Sequence, residues 1–464
     1  MIKRFGLVQS TPHIMLALVA GGMVAVMPWA WWVRLLVGLA VLAIAVVSFD
    51  NRLLSTWVGL AISLRRPRSL PARSQAARDA IAAPGEDVAV RWDGQDLVGL
   101  IALHPKPFAA SIVTSGVTDH ADVVSTELVN ALLARLDVPA RADVVSAGWR
   151  VGGGWAPLSV RALYEQMIGT DACAAYRRTW ILVRVRPAEA LHAARWRGEG
   201  LVGVSKAVVA AATRLAEELS KHGVDARPAD SFAEFDKLTD LGEVTGESWS
   251  QLRGQGTYTT VFSAPGGPDQ WWSVRADRTV TRVRLSPGAA PRSTVALLTV
   301  GKMKLDPVGW VRLRGGQLAG LTGHTPVSDR HWALPIGSSG MLVGIDPVDA
   351  KSHVYLPMDG ADSVLHIADS NVVVQVALRS VACGAGICLP ADPQWGRIAA
   401  KLGASTGPQA HLRWPSGART WLVSRRSSHV VRFADQEVLV EPGHTRIPVK
   451  WIFPREESGL VTLP

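Results

Sequence analysis

The 464-residue sequence predicts a mixed α/β (α+β) cytosolic region of two lobes, preceded by an N-terminal two-helix transmembrane hairpin. Three observations carry this. From Ile14 to Phe49 the chain runs thirty-six residues with Arg34 as the only charged side chain. The following stretch of about 380 residues is long enough for two hydrophobic cores. That stretch also alternates segments of strand-like and helix-like hydrophobic period.

As one helix, Ile14 to Phe49 would be about 54 Å long, against a hydrocarbon core of about 30 Å. It therefore has to turn back. Pro28 disrupts a helix, and Trp29, Trp31 and Trp32 are indoles of the kind that settle at headgroup level, so the tip belongs there. The arms, Pro12 to Met27 and Trp31 to Phe49, are both short for a span, so bilayer thinning or partner helices must help. Arg34 sits close enough to the tip to snorkel to the headgroups. In the first arm, Ala17, Ala20, Gly21 and Gly22 allow close approach by neighbouring helices. A cleaved signal peptide behind Lys3 and Arg4 is the competing reading. No small-x-small cleavage site supports it, and a second apolar run follows.

Charge gives the orientation. Lys3 and Arg4 precede the hairpin, and Arg52, Arg65, Arg66, Arg68, Arg73 and Arg78 follow it, so both ends face the cytosol. Residues 1–80 hold nine Lys or Arg against two acids, leaving only +3 of the chain's +10 for everything beyond. The basic flank therefore reads as facing anionic lipid, at about 1 kcal/mol per residue near the surface, and no nucleic-acid partner is expected. The resulting organisation is a hairpin over 1–50, a basic juxtamembrane linker over 51–80, a first α/β lobe over 81–244 and a second, β-rich α/β lobe over 245–464.

The first lobe opens with a hairpin. Val88, Val90 and Trp92 alternate, Asp93-Gly94 turns, and Leu97 to Leu103 returns. A helix is expected from Val123 to Leu136, capped by Asp122, with Val124, Leu128, Leu132 and Leu136 on one face. A strand at Ala142 to Ser146, a helix at Leu158 to Ile168 and a strand at Thr179 to Arg186 follow. The long helix from Ser205 to His222 buries Val208, Ala212, Leu215 and Leu219, pairs Glu217 with Lys221, and ends at Gly223. In the second lobe, strands are expected at Tyr258 to Phe262, Trp271 to Arg275, Val280 to Leu285 and Val295 to Val300. Gly- and Pro-rich loops fill 301–340. Helices from Asn371 to Ala385, capped by Asp369 or Ser370, and from Trp395 to Leu402 precede a β-rich end.

Motifs that carry chemistry are scarce. No phosphate-cradling G-x-x-x-x-G-K-[ST] occurs, and Gly337-Ser338-Ser339-Gly340 falls one residue short of a nucleophile elbow and reads as a turn. Gly384-Ala385-Gly386 is a fragment of a dinucleotide fingerprint behind a helical rather than an extended segment. Asp119, His120 and Asp122 could ligate a divalent cation, but just before a helix they read better as caps. Cys383 and Cys388 form a lone pair where structural zinc needs four ligands, and with Cys173 they suit a reducing compartment. No catalytic residue, cofactor or metal site is assigned.

Several segments bear a family resemblance. Glu86-Asp-Val-Ala-Val-Arg-Trp-Asp-Gly94, Ala142-Asp-Val-Val-Ser-Ala-Gly-Trp-Arg-Val151, Leu163-Tyr-Glu-Gln-Met-Ile-Gly-Thr-Asp171, Ala264-Pro-Gly-Gly-Pro-Asp-Gln-Trp-Trp272 and Leu334-Pro-Ile-Gly-Ser-Ser-Gly340 resemble, in that order, the EccE subunit of mycobacterial type VII (ESX) secretion systems, nearest the ESX-1 type. The resemblance implies a non-catalytic, peripheral subunit of the inner-membrane core complex, alongside EccB, EccD and the ATPase EccC. The rival is a membrane-tethered enzyme of the inner leaflet, such as a glycosyltransferase-like protein. A third reading is a sensor of anionic lipid or DNA through Arg65 to Arg78.

Overall fold

The computed structural model describes residues 5–7, 22–23, 27–49, 52–53 and 80–81, then 88–452 with short gaps at 153–155, 265, 322–330, 368–369, 392, 423–428, 435–436 and 442–444, and Glu457.

Alternation along the first hairpin builds its centre. Val90–Asp93 pairs with Asp96–Leu103, and Gly94 takes the left-handed conformation of the turn at φ +68°. Asp96–Leu103 then pairs with Tyr176–Val185, which pairs with Ala140–Trp149, Arg278–Ser286, Ala289–Thr299 and Tyr258–Ser263 in succession, every pairing antiparallel. Among the described residues this sheet has twelve strands. Because successive side chains point to opposite faces, each strand feeds two cores. On one face Leu97, Ile101, Val144, Ile181 and Val183 pack with Val208, Ala212, Leu215 and Leu219 of the helix Gly200–Lys221. A Cβ on Gly99 would stand 3.0 Å from Val208 Cγ1, so a glycine there lets this helix lie close on the sheet. On the other face Val98, Leu100, Val145, Trp180 and Leu182 join Phe235 and Leu238 of the helix Ala233–Thr239, Tyr164 of Leu158–Ile168, and the C-terminal part of the chain. Each such side chain, fully buried, contributes about 1.5–3 kcal/mol.

The C-terminal part adds a five-stranded sheet and an eight-stranded sheet around the helix Ser370–Ala382. Parallel pairing occurs in the eight-stranded sheet, where Ser363–Ile367 runs alongside Val430–Ala434. The two expected lobes interleave. Ala140–Trp149 pairs with Arg278–Ser286, and Ser111–Thr114 pairs with Ser352–Leu356, so the 244/245 position does not coincide with a break in either sheet.

Several elements differ from expectation. Val123–Ser125 is a strand paired with Ala333–Pro335, and the helix starts only at Thr126, with Ser125 Oγ accepting from Leu128 N. Asp122 is therefore not the cap. Trp271–Arg275 is not a strand: Pro268–Trp271 is a short helix, and both its last residue Trp271 and the following Trp272 are buried in the core rather than set on alternating faces. In the long helix Lys221 Nζ reaches Glu218, three residues back, at 2.7 Å in place of Glu217.

At the N-terminus the chain bends at Met27–Trp29, and a helix runs from Trp31 to Val46. It ends three residues short of the expected arm because Val47–Phe49 becomes a strand, paired antiparallel with Phe5–Leu7 and with Arg52–Leu53. No helix among the described residues is long and apolar enough to cross a membrane. Most of the expected first arm, including Ala17 and Gly21, and the flank at Arg65, Arg66, Arg68 and Arg73 lie outside the described residues.

Candidate functional site

The motifs that could have carried chemistry resolve into structural parts. Asp119 and His120 are neighbours on the strand Val117–His120, so they point to opposite faces. Asp119 is exposed, while His120 Nδ1 lies 2.8 Å from Ser111 Oγ. Burial, with the charge of Arg177 adding to it, holds the His120 imidazole well below its ordinary pKa and thus neutral. Asp122 is buried and accepts from Lys106 N at 2.8 Å. The three do not converge. Among the described residues no group of three metal-ligating side chains occurs.

Gly337-Ser338-Ser339-Gly340 is a strap across the start of Tyr176–Val185. Ser339 N and Gly340 N donate to Ala174 O at 2.8 and 3.1 Å, and Ser338 Oγ accepts from Arg177 N at 3.0 Å. Ser338 also donates to the buried Asp359 at 2.9 Å. Both hydroxyls are buried and committed, so neither is presented as a nucleophile. The Cys383 and Cys388 thiols are unbridged, and burial pushes Cys383 up to about 12, leaving it an inert small core residue beside Tyr164. Gly384, at φ +100°, ends the helix Ser370–Ala382.

The charged feature that sequence reading missed is a cluster on the central sheet. Asp143 is fully buried and accepts from Arg184 Nε at 2.7 Å, Arg282 Nη1 at 3.1 Å and Arg284 Nε at 2.7 Å. Arg184 reaches on to Asp93, and Arg186 lies 3.3 Å from Asp96, so the two hairpin-turn aspartates belong to the same network. Burial pushes the Asp143 carboxyl up, but the charge of Arg184, the hydrogen bond from Arg284 and the charges of Arg282 and Arg284 outweigh it and hold it well below the carboxylate range. A second buried pair, Arg379 with Glu457 at 2.9 Å, is completed by Arg379 donating to the carbonyls of Leu342, Val343 and Ile452. Both networks are internally satisfied ion clusters with the character of staples.

What remains exposed and distinctive is apolar. In the helix Trp31–Val46, Trp31, Trp32, Leu35, Leu36 and Leu39 all face outward, with Trp29 exposed just before it. Arg34, near the helix start, donates from Nε to Trp29 O at 2.8 Å and so ties its charge to the turn. A Cβ on Gly22 would meet nothing within 4 Å. A run of large apolar side chains this continuous marks a surface meant for lipid or for another protein.

A model of the family described as the type VII ESX secretion system translocon protein EccE matches residues 173–264. The ESX-1 secretion system protein EccE1 of Mycobacterium tuberculosis (strain ATCC 25618 / H37Rv) is 41% identical over 430 residues, covering 92% of this chain and 91% of that protein. The chain belongs to the EccE family. EccE1 of Mycolicibacterium smegmatis is 40% identical over 92% of the chain and 90% of its own length, whereas the ESX-5 protein EccE5 of Mycobacterium marinum is 27% identical over 68% and 84%. This EccE chain is thus nearest the ESX-1 type. It is a structural component of a type VII secretion system, which accords with ion clusters and serine straps that tie strands together and with the exposed apolar helix that sets it apart.

Proposed function

We propose that this EccE chain is a non-catalytic scaffold at the periphery of the inner-membrane core complex of an ESX-1 type secretion system, held beside EccB, EccC and EccD by its N-terminal segment. The observation that carries this is the 41% identity to EccE1 over 92% of the chain, joined to a helix whose exposed apolar side chains face outward. The helix Trp31–Val46 would be about 24 Å long, somewhat less than the usual hydrocarbon thickness, which suits an anchor packed among partner helices in locally thinned lipid. Antiparallel pairing of Phe5–Leu7 with Val47–Phe49 supports a hairpin, since it brings the two ends of the apolar stretch to one side. On that reading Trp29, Trp31 and Trp32 lie at the far headgroups. Arg52, Arg65, Arg66, Arg68 and Arg73 face the cytosolic leaflet, and Ala17, Gly21 and Gly22 let neighbouring spans approach.

A domain tethered this way gains effective concentration for contacts too weak to persist alone. Both lobes would act as one body, since they share sheets. The test is to solubilise membranes gently, purify the chain through a C-terminal tag, and identify by mass spectrometry what migrates with it on a native gel. A large species containing EccC and the multi-span subunits is expected. Deleting Ile14 to Phe49 should release a soluble protein and reduce that species; an undiminished complex after the deletion would overturn the anchoring role.

A further inference from the structure

The chain enters its central sheet at one particular end. Ala80 stands opposite Arg91 and Ile81 opposite Val90, so residues arriving from the juxtamembrane segment come from the end that holds the Asp93–Asp96 turn. The antiparallel register carries that end across the neighbouring strands to Val185, Ala140 and the turn between Ser286 and Ala289. The helix Pro187–Ala194 follows directly from Val185, and the helix Gly200–Lys221 starts back from the same place. The turn between these helices therefore projects from the end at which the chain arrives.

That turn has an unusual surface. Leu191 (58% exposed), Trp196 (72%), Leu201 (51%) and Val202 (52%) all face outward on twelve consecutive residues. It is also stiff. A Cβ on Gly203 would lie 2.2 Å from Gly198 O and 2.6 Å from Ala194 O, so the helices cross with their backbones in contact, and Gly200 turns the chain at φ +55°. The Arg197 guanidinium stands 3.8 Å over the Trp196 ring and is itself held, donating to Ala193 O at 2.7 Å and Asp137 Oδ2 at 2.5 Å. The indole is thus presented outward rather than folded down. Arg135, Arg195 and Arg292 are exposed at the same end of the sheet, together with His192 and the acids Glu199, Asp137 and Glu189, of which Asp137 and Glu189 are paired with Arg197 and Arg141. An outward indole among aliphatic side chains and arginines matches the composition of a headgroup layer's partner: the indole sits at the interface and the guanidinium groups attract anionic phosphates.

We propose that the turn 191–202 is a second membrane contact. Trp196 and its aliphatic neighbours enter the headgroup layer of an anionic leaflet, Arg135, Arg195 and Arg292 meet lipid phosphates, and this end of the central sheet is seated on the bilayer. The lipid surface is favoured over a protein pocket because Ala80–Ile81, which follows the apolar helix in the chain, enters the sheet from the same end. The proposal rests on the anchoring role given to that helix, so its test reports on the two separately.

Full-length protein is reconstituted in nanodiscs of anionic lipid with a single nitroxide at Trp196→Cys, Leu36→Cys or Val348→Cys, each in a Cys388→Ser background that leaves the buried Cys173 and Cys383. Collision with oxygen, which concentrates in lipid, is compared with collision with a water-soluble nickel chelate. Val348, fully solvent-facing at 94% exposed, is the aqueous reference. The Trp196 label is expected to lose most of its nickel accessibility relative to Val348 and to gain oxygen accessibility. Nickel accessibility equal to that at Val348, with Leu36 in lipid, overturns the docking contact and leaves the anchor standing. A nickel-accessible Leu36 removes the anchor, and the Trp196 label then decides the contact independently. Protection of Trp196 that appears only when the other membrane subunits are added makes the turn a protein interface and overturns the proposal.

Discussion

Asp143 shows how much one side chain can hold together. Its carboxylate meets guanidinium groups from Tyr176–Val185 and Arg278–Ser286, the two strands that flank its own. Truncation would leave these cations buried without their anion, which costs more than the pair contributes over an apolar substitute. Asp143→Ala is therefore expected to destabilise by about 3–5 kcal/mol, read as a fall in the midpoint of urea unfolding. Because the folded carboxyl titrates below its unfolded value, the stability it contributes is present above about pH 3.9 and is lost as pH falls through the folded pKa. The variant should consequently lose stability at neutral pH and show a flatter acid limb. The alternation of Arg282 and Arg284 was visible as two residues on one face of a strand, but nothing local tells which buried acid will face them. Asp93 and Asp96 flank the turn of the first hairpin, yet their second role as ends of the same network depends on Arg184, 91 residues after Asp93.

Among the elements, regular hydrophobic period was the reliable guide. Leu158–Ile168 forms as expected, and the first hairpin and long helix match within a few residues, because their own side chains specify the buried face. Where a segment's partner lies far away, period misled. Val123–Ser125 has helical spacing with the residues that follow, but pairing with Ala333–Pro335 draws it into a strand. The helix Ser370–Ala382 buries Val374, Leu378 and Val381 in the core, and its C-terminal end also docks through backbone. Gly152 N donates to Ala382 O at 2.6 Å, and a Cβ on Gly152 would lie 2.6 Å from Gly384 N. Trp149 Nε1 adds a bond to Cys383 O at 3.1 Å. Gly152→Ala should therefore push this helix off the sheet at a cost of about 1–3 kcal/mol. The expected readout is faster proteolytic cleavage around 383–392, and unchanged cleavage would mean that the backbone shifts freely to accept the methyl.

For the whole molecule, the interleaving of early and late strands has a consequence for any attempt to divide it. A fragment of residues 81–244 keeps Ala140–Trp149 but loses its partner Arg278–Ser286, exposing a long apolar edge and half of both cores. Such a fragment is expected to be insoluble or to aggregate by size-exclusion chromatography, and to be rescued by co-expression with residues 245–464. A monodisperse, cooperatively unfolding 81–244 fragment would show that the first lobe folds independently.

Composition and spacing within a few residues were enough for the apolar stretch, the basic flank, the lack of phosphate or metal motifs and long regular elements such as Asp96–Leu103, Leu158–Ile168 and Gly200–Lys221. The family resemblance was likewise carried by short contiguous segments. Folding in three dimensions is what makes the two halves share sheets, gathers three arginines on Asp143, lays Gly337 to Gly340 down as a strap, and stands Trp196 outward at the end where the chain enters the sheet. Each of these rests on residues distant in sequence meeting in space, and strand pairing leaves no local mark of which partner it will choose.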